Sequence, residues 1–129
     1  SNFIGAVGLA KAIDYVESIG VEAIEKHERM ILGAMTERLS KIEGLRIYGT
    51  TENKCPIVSF TIDGTHPYDV GMILDKLGIA IRTGHHCAEP LIDYLGVPGT
   101  VRASVGLYNT KEDVDVFVAA LKKAIMMLG

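Results

Sequence analysis

The stretch Arg82-Thr83-Gly84-His85-His86-Cys87-Ala88-Glu89-Pro90 sets one cysteine behind two histidines and a glycine. It follows the apolar run Ile79-Ala80-Ile81, the pattern of a loop leaving a buried strand, and loops held by rigid elements are where chemistry concentrates. Only the thiolate of a cysteine is strongly nucleophilic, and cationic neighbours favour it. Arg82, His85 and His86 are placed to supply that positive environment. The competing reading, a small buried hydrophobe, is the common fate of free cysteine. Gly84, the histidine pair and Pro90 instead mark irregular backbone, where a core cysteine is not expected. Cys55 has no polar cluster beside it and fits the buried-hydrophobe reading.

Arg82 and Arg102 form a second constellation, each among apolar strand residues (Ile79, Ala80 and Ile81; Val101, Ala103 and Val105). Arginine is almost never buried without a partner. Two readings stand side by side: a structural ion pair, or a planar fork that grips a substrate carboxylate bidentately. A metal is the weaker reading of His85, His86 and Cys87, because adjacent ligands rarely converge on one ion and structural zinc prefers wider spacings. His27 is read as partly exposed and uninformative. Asn109 and Thr110 are explained by a turn and a helix cap.

These residues sit in a chain of 129 residues, enough for one core, with a formal net charge of −3. The five arginines and eight lysines are scattered, which leaves no basic stripe for nucleic acid or a membrane surface. No apolar run approaches the roughly 18 residues of a spanning helix. Two cysteines are too few for a disulfide framework, and the expected location is cytoplasmic. A helix begins almost at once at Phe3-Ile4, and Ser1 resembles a residue left by tag removal, which suggests a piece of a larger protein.

The elements that must position the loop follow from periodicity. Leu9, Ile13 and Val16 recur at helical spacing up to Gly20. A second helix is expected over Val21–Lys41, with Ile24, Ile31, Leu32, Met35 and Leu39 on its apolar face and Gly44 as its left-handed cap. Leu45–Tyr48 reads as a strand, and Pro56–Ile62 as another with Val58, Phe60 and Ile62 on one side. Pro67 opens a helix at its first position, carrying Val70, Ile73, Leu74 and Leu77 to Gly78. Ile79–Arg82 is then a strand, Pro90–Leu95 a short helix and Thr100–Leu107 a strand. Thr110-x-x-Asp113 caps a last helix with Val114, Phe117, Leu121, Ile125 and Leu128 as its seam. The whole is one α+β domain over residues 1–129, a small, mostly antiparallel sheet covered by helices.

The loop Arg82-x-Gly-His-His-Cys-Ala-x-Pro, with Val101-Arg102-Ala-Ser, Tyr108-Asn109-Thr110, Tyr68-Asp69-Val70 and the opening Asn2-Phe3-Ile4-Gly5, resembles the C-terminal part of the cysteine desulfurases. It is most similar to the Suf-type (group II) branch, which overlaps with the selenocysteine lyases. The resemblance runs over essentially the whole chain. It implies the small C-terminal domain of a homodimeric, fold-type I, pyridoxal-phosphate (PLP) enzyme of the class-V aminotransferase type. In that enzyme Cys87, as thiolate, attacks the sulfur of PLP-bound L-cysteine, becomes a persulfide and releases L-alanine. Arg102 holds the substrate carboxylate, while Arg82 and His85 line the loop and tune the thiol. The persulfide passes to a sulfur-acceptor protein and on to iron–sulfur cluster assembly.

The family anchors PLP on a lysine that follows a histidine, and no lysine here does so; Lys26 precedes His27. The expectation is therefore a chain with no cofactor-binding residues and no metal ligands of its own, inactive unaided. The alternatives are a stand-alone persulfide carrier and a zinc or redox thiol domain.

Overall fold

A computed structural model describes all residues 1–129. Its elements are α1 (Phe3–Ile19), α2 (Val21–Leu39), β1 (Leu45–Tyr48), β2 (Ile57–Ile62), α3 (Pro67–Lys76), β3 (Arg82–Gly84), α4 (Glu89–Leu95), β4 (Thr100–Ser104) and α5 (Lys111–Leu128). The four strands form one sheet in the order β1-β2-β4-β3, and every neighbouring pair is antiparallel. This is the α+β class and the antiparallel sheet expected from the sequence.

Alternation decides which face of the sheet is dry. Val58, Phe60 and Ile62 of β2 and Val101 and Ala103 of β4 point into the core. There they meet Ile31, Met35 and Leu39 of α2, Val70 and Leu74 of α3, and Val114, Phe117 and Leu121 of α5. Phe60 and Phe117 lie with ring centroids 6.4 Å apart at a tilt of 54°, a favourable aromatic arrangement. Arg38 of α2 pairs with Asp115 of α5. The capping box that starts α5 is formed: Asp113 N–H donates to Thr110 Oγ1 and Thr110 N–H donates to Asp113 Oδ2.

The other face carries the alternate residues and is polar, as antiparallel sheets allow. Strand register aligns one row across all four strands: Tyr48 opposite Ser59, Ser59 opposite Arg102, and Arg102 opposite Arg82. Beside this row Arg46 lies 5.2 Å from the centre of the Tyr48 ring, and the Tyr48 hydroxyl meets Thr61 Oγ1 at 3.2 Å.

Three elements differ from expectation by two residues or more at a boundary, the others by one at most. β3 runs over Arg82–Gly84 rather than Ile79–Arg82, because Ile79 N–H is committed to Leu74 O at the end of α3 (2.9 Å). Ile79 and Ile81 pack against the core without joining the ladder. α2 stops at Leu39, and Gly44, though left-handed (φ 73°), serves the entry to β1, its carbonyl accepting from Asp63 N–H. β4 ends at Ser104 because Asn109 folds back onto Gly106, Oδ1 accepting from its N–H at 2.9 Å.

Helix α1 stands apart. None of its residues is buried, and Phe3, Ile4 and Val7 are each about 70% exposed (72%, 74% and 69%). Two side chains depart from the sequence reading. Cys55 is exposed rather than buried. His27 is informative after all: its Nε2 lies 2.8 Å from Asn109 O, tying α2 to the turn before α5.

Candidate active site

The cysteine loop is a tight turn at the end of β3. Ala88 N–H donates to His85 O at 2.9 Å, and the two central residues are both left-handed, His86 at φ 55° and Cys87 at φ 58°. Such mirror-image turns normally use glycine, asparagine or aspartate. A non-glycine residue held there costs on the order of 1–3 kcal/mol, and such strain collects at functional sites. Two in succession mark this as the most strained backbone of the chain.

What over-determines the turn is visible on both sides. His86 Nε2 reaches Thr100 Oγ1 (3.0 Å) and Thr100 O (3.2 Å) on β4. Helix α4 starts at once after Ala88, and His85 Nδ1 lies 3.8 Å from Glu89 Oε1 in its first turn. β3 can lie so close because its neighbours lack side chains. A Cβ at Gly99 would sit 3.1 Å from Gly84 Cα, and one at Gly71 of α3 would sit 2.7 Å from Thr83 Cγ2. Cys87 is thereby presented, exposed, at the tip.

Cys87, His85 and His86 line an open cleft of about 520 Å³, together with Thr83 and Gly84 and, across from them, His66, Pro67 and Tyr68 at the start of α3. His66 caps that helix, its Nδ1 accepting from Tyr68 N–H at 3.2 Å. A smaller apolar cavity of about 320 Å³ lies under α5 beside Ile79–Ile81 and holds none of the candidate residues. His66 and Tyr68 were not singled out as cleft residues from the sequence, because they lie far from Cys87 along the chain. The available signals were the position of His66 before Pro67 and the place of Tyr68 in the Tyr68-Asp69-Val70 run of the resemblance.

Arg82 and Arg102 face each other across the β3–β4 ladder. Neither meets a carboxylate; the ion pairs of the molecule lie elsewhere. Within this chain neither arginine has a structural ion pair. Arg102 is half-buried, and its Nε is buried without a hydrogen-bond partner. Like charges directly opposite on a sheet repel, so an anion bound there would relieve both costs at once.

His86 joins the arginines to the cysteine turn. Its pKa is lowered by burial first, then by Arg102, with smaller contributions from Arg82 and His85, against the Thr100 contact that raises it. The environment therefore holds His86 neutral. Of the three groups expected to make the surroundings of Cys87 positive, His86 drops out for that reason.

Residues 1–117 match the aminotransferase class-V family model. A protein of Xylella fastidiosa named "Probable cysteine desulfurase" is 50% identical over 99% of this chain, which covers 31% of that protein. The structure of the cysteine desulfurase CsdA from Escherichia coli superposes with a TM-score of 0.93 at 34% identity, over 100% of this chain and 32% of that one. Apo cysteine desulfurase from Thermococcus onnurineus gives a TM-score of 0.92 at 41% identity, over 98% of this chain and 32% of that one. The chain spans about a third of the length of the curated relatives it matches.

The class-V match implies PLP, and the residues present do not fit that group unaided. No lysine lines the Cys87 cleft. Lys41 and Lys54 are engaged elsewhere, with Glu37 and with Gly49 O.

Proposed function

The chain belongs to the aminotransferase class-V family, and on that premise we propose that it is the small C-terminal domain of a cysteine desulfurase, with Cys87 as the sulfur acceptor. The observation that carries the reading is the Cys87 turn: an exposed thiol on doubly left-handed backbone at the end of edge strand β3, whose Arg82 faces Arg102 of β4 with neither arginine ion-paired within the chain. Relatives named cysteine desulfurase support it along the whole chain.

The division of labour follows from the side chains. Arg102, half-buried with its Nε unpartnered, takes the carboxylate of L-cysteine as a charge-assisted pair. Arg82, its cross-strand neighbour, adds a second positive charge. Cys87 Sγ, as thiolate, attacks the substrate sulfur. An S–S bond forms and the substrate C–S bond breaks. Its electron pair stays on the substrate carbon, which takes a proton to become L-alanine, and the enzyme is left as a persulfide. His85, beside the attacking sulfur in the cleft, is the neighbour that tunes it.

The cofactor anchor and the large domain lie outside these residues in this reading, so the chain alone binds no PLP and does not turn over. The exposed apolar side chains of α1 fit burial against that larger part. The Suf-type assignment rests on the short His85-His86-Cys87 turn. Transfer of the persulfide to an acceptor protein for iron–sulfur cluster assembly, a homodimeric parent and a cytoplasmic location complete the reading. No helix is long and apolar enough to cross a membrane.

The test gives PLP and L-cysteine to this chain and to a longer protein in which a class-V large domain precedes it. Alanine release only from the longer protein, abolished by Cys87→Ala, is the expected result. Full activity in Cys87→Ala would remove Cys87 from the reaction. A persulfide accepted on Cys87 by the short chain alone, from a small-molecule persulfide whose outer sulfur passes to the Cys87 thiolate as its own thiolate leaves, without any alanine-forming activity of the longer protein, would favour a carrier.

A further inference from the structure

Thr100 is the one polar residue in the buried set, at 2% exposure, and both its hydroxyl and its carbonyl are directed to His86 Nε2. That residue is fourteen positions away and holds φ 55° immediately before Cys87. We propose that Thr100, acting through His86, is a positioning residue: the His86–Thr100 clasp keeps the strained turn closed and so fixes where the Cys87 thiol points.

A carbonyl only accepts, so the bond to Thr100 O places the proton on Nε2, and the same N–H is shared with Thr100 Oγ1. The clasp thus selects one imidazole tautomer and leaves Nδ1 outside it. Its anchor is rigid: Thr100 pairs with Gly84 at the end of the β3–β4 ladder, and Gly99 beside it is packed against Gly84. The turn has only one backbone bond of its own, from Ala88 N–H to His85 O, while two successive residues pull against it. A second restraint from β4 is what the strain requires. The charged and titratable groups facing His86 are Arg102 on β4, Arg82 on β3 and His85 within the turn. All three can be positive, so they favour the neutral, clasped ring. The importance of the clasp for catalysis rests on the desulfurase reading; its existence does not.

The experiment uses NMR on this chain, where a left-handed residue gives a strong intraresidue amide–Hα NOE. Wild type should show that signal at His86 and Cys87, with Ala88 N–H protected from exchange. Thr100→Val should weaken both NOEs and speed Ala88 exchange at least about tenfold (roughly 1.4 kcal/mol), while the core amide of Leu121 exchanges unchanged. His86→Leu, which loses both contacts, should do more. Thr100→Ser and His86→Gln, which keep a hydroxyl and an N–H donor, should restore the wild-type pattern. In the longer protein Thr100→Val should lower kcat for alanine release and leave KM for L-cysteine unchanged. Unaltered NOEs and Ala88 protection in Thr100→Val and His86→Leu would overturn the proposal. So would equal acceleration at Leu121 in both, which would make Thr100 a packing residue only. The NMR arm needs no turnover, so a failed desulfurase reading leaves it standing.

Discussion

The two faces of the sheet are made by the same strands and obey different rules. On β4, Val101 and Ala103 are buried while Arg102 between them turns to the open side. On the covered face, apolar groups meet apolar groups and the aromatic pair is well placed. On the open face two arginines stand opposite each other without an acid, and at its edge two left-handed residues carry a thiol. The first face is resolved by the domain itself. The second is left with an unpartnered Nε, paired like charges and backbone strain, the tensions a substrate and a reaction relieve. The difference teaches where to look for function: at the groups whose energetic conflicts the fold leaves open.

The sharpest way to break this contrast is to measure stability on each side. Phe60→Ala, in the centre of the covered face, should cost about 3–5 kcal/mol in urea unfolding; a loss below about 1 kcal/mol would mean the covered face is not what holds the domain. Next in size, Thr110→Ala removes the cap of α5, which brings Phe117 and Leu121 to that face, and should cost about 1 kcal/mol.

Arg102→Met on the open face should do the opposite of both. It removes one of two like charges opposite each other and a buried unpaired Nε. Unfolding free energy should therefore stay within about 0.5 kcal/mol or rise. In the longer protein the same change should raise KM for L-cysteine on the order of 10–100-fold, the loss of a charge-assisted carboxylate bond. A destabilisation of Arg102→Met approaching that of Phe60→Ala would erase the distinction between the faces.

The covered face was the legible one. Period-2 alternation named Val58, Phe60 and Ile62, and helical spacing named Ile31, Met35, Leu39, Val114, Phe117 and Leu121, all of them buried. Those signals are local. The site was legible only in its types: Cys87 with its histidines, and two arginines. Their pairing was not, because it depends on β3 starting at Arg82. That register is set by Ile79 N–H bonding back to α3, a tertiary choice that the apolar run Ile79–Ile81 disguises. The histidines show the same limit. His86 and His85 are adjacent and chemically alike, yet one is clasped to Thr100 and held neutral while the other faces Glu89.

The smallest expected effect distinguishes the two faces by pH. His86 has its pKa lowered on folding, chiefly by burial and by Arg102. Above about 6.5, the ordinary histidine value, the ring is neutral whether folded or unfolded, and its contribution to stability is fully present. As pH falls from there towards the lowered folded value, the unfolded chain takes up a proton that the folded one refuses, so stability is lost. The side chain is only half-buried, and solvent keeps this below the effect of the α5 cap. Glu37, lowered by the Lys41 hydrogen bond, and Asp113, lowered by the Thr110 N–H, lose their contributions only at more acid pH, through the carboxylate range. Urea midpoints at pH 7.5 and 5.5 therefore isolate the histidines, and the difference between wild type and His86→Gln isolates this one. Wild type should lose more stability than His86→Gln over that interval. An equal loss would mean that burial and the arginines of the open face together do not hold the ring beside Cys87 below its ordinary pKa.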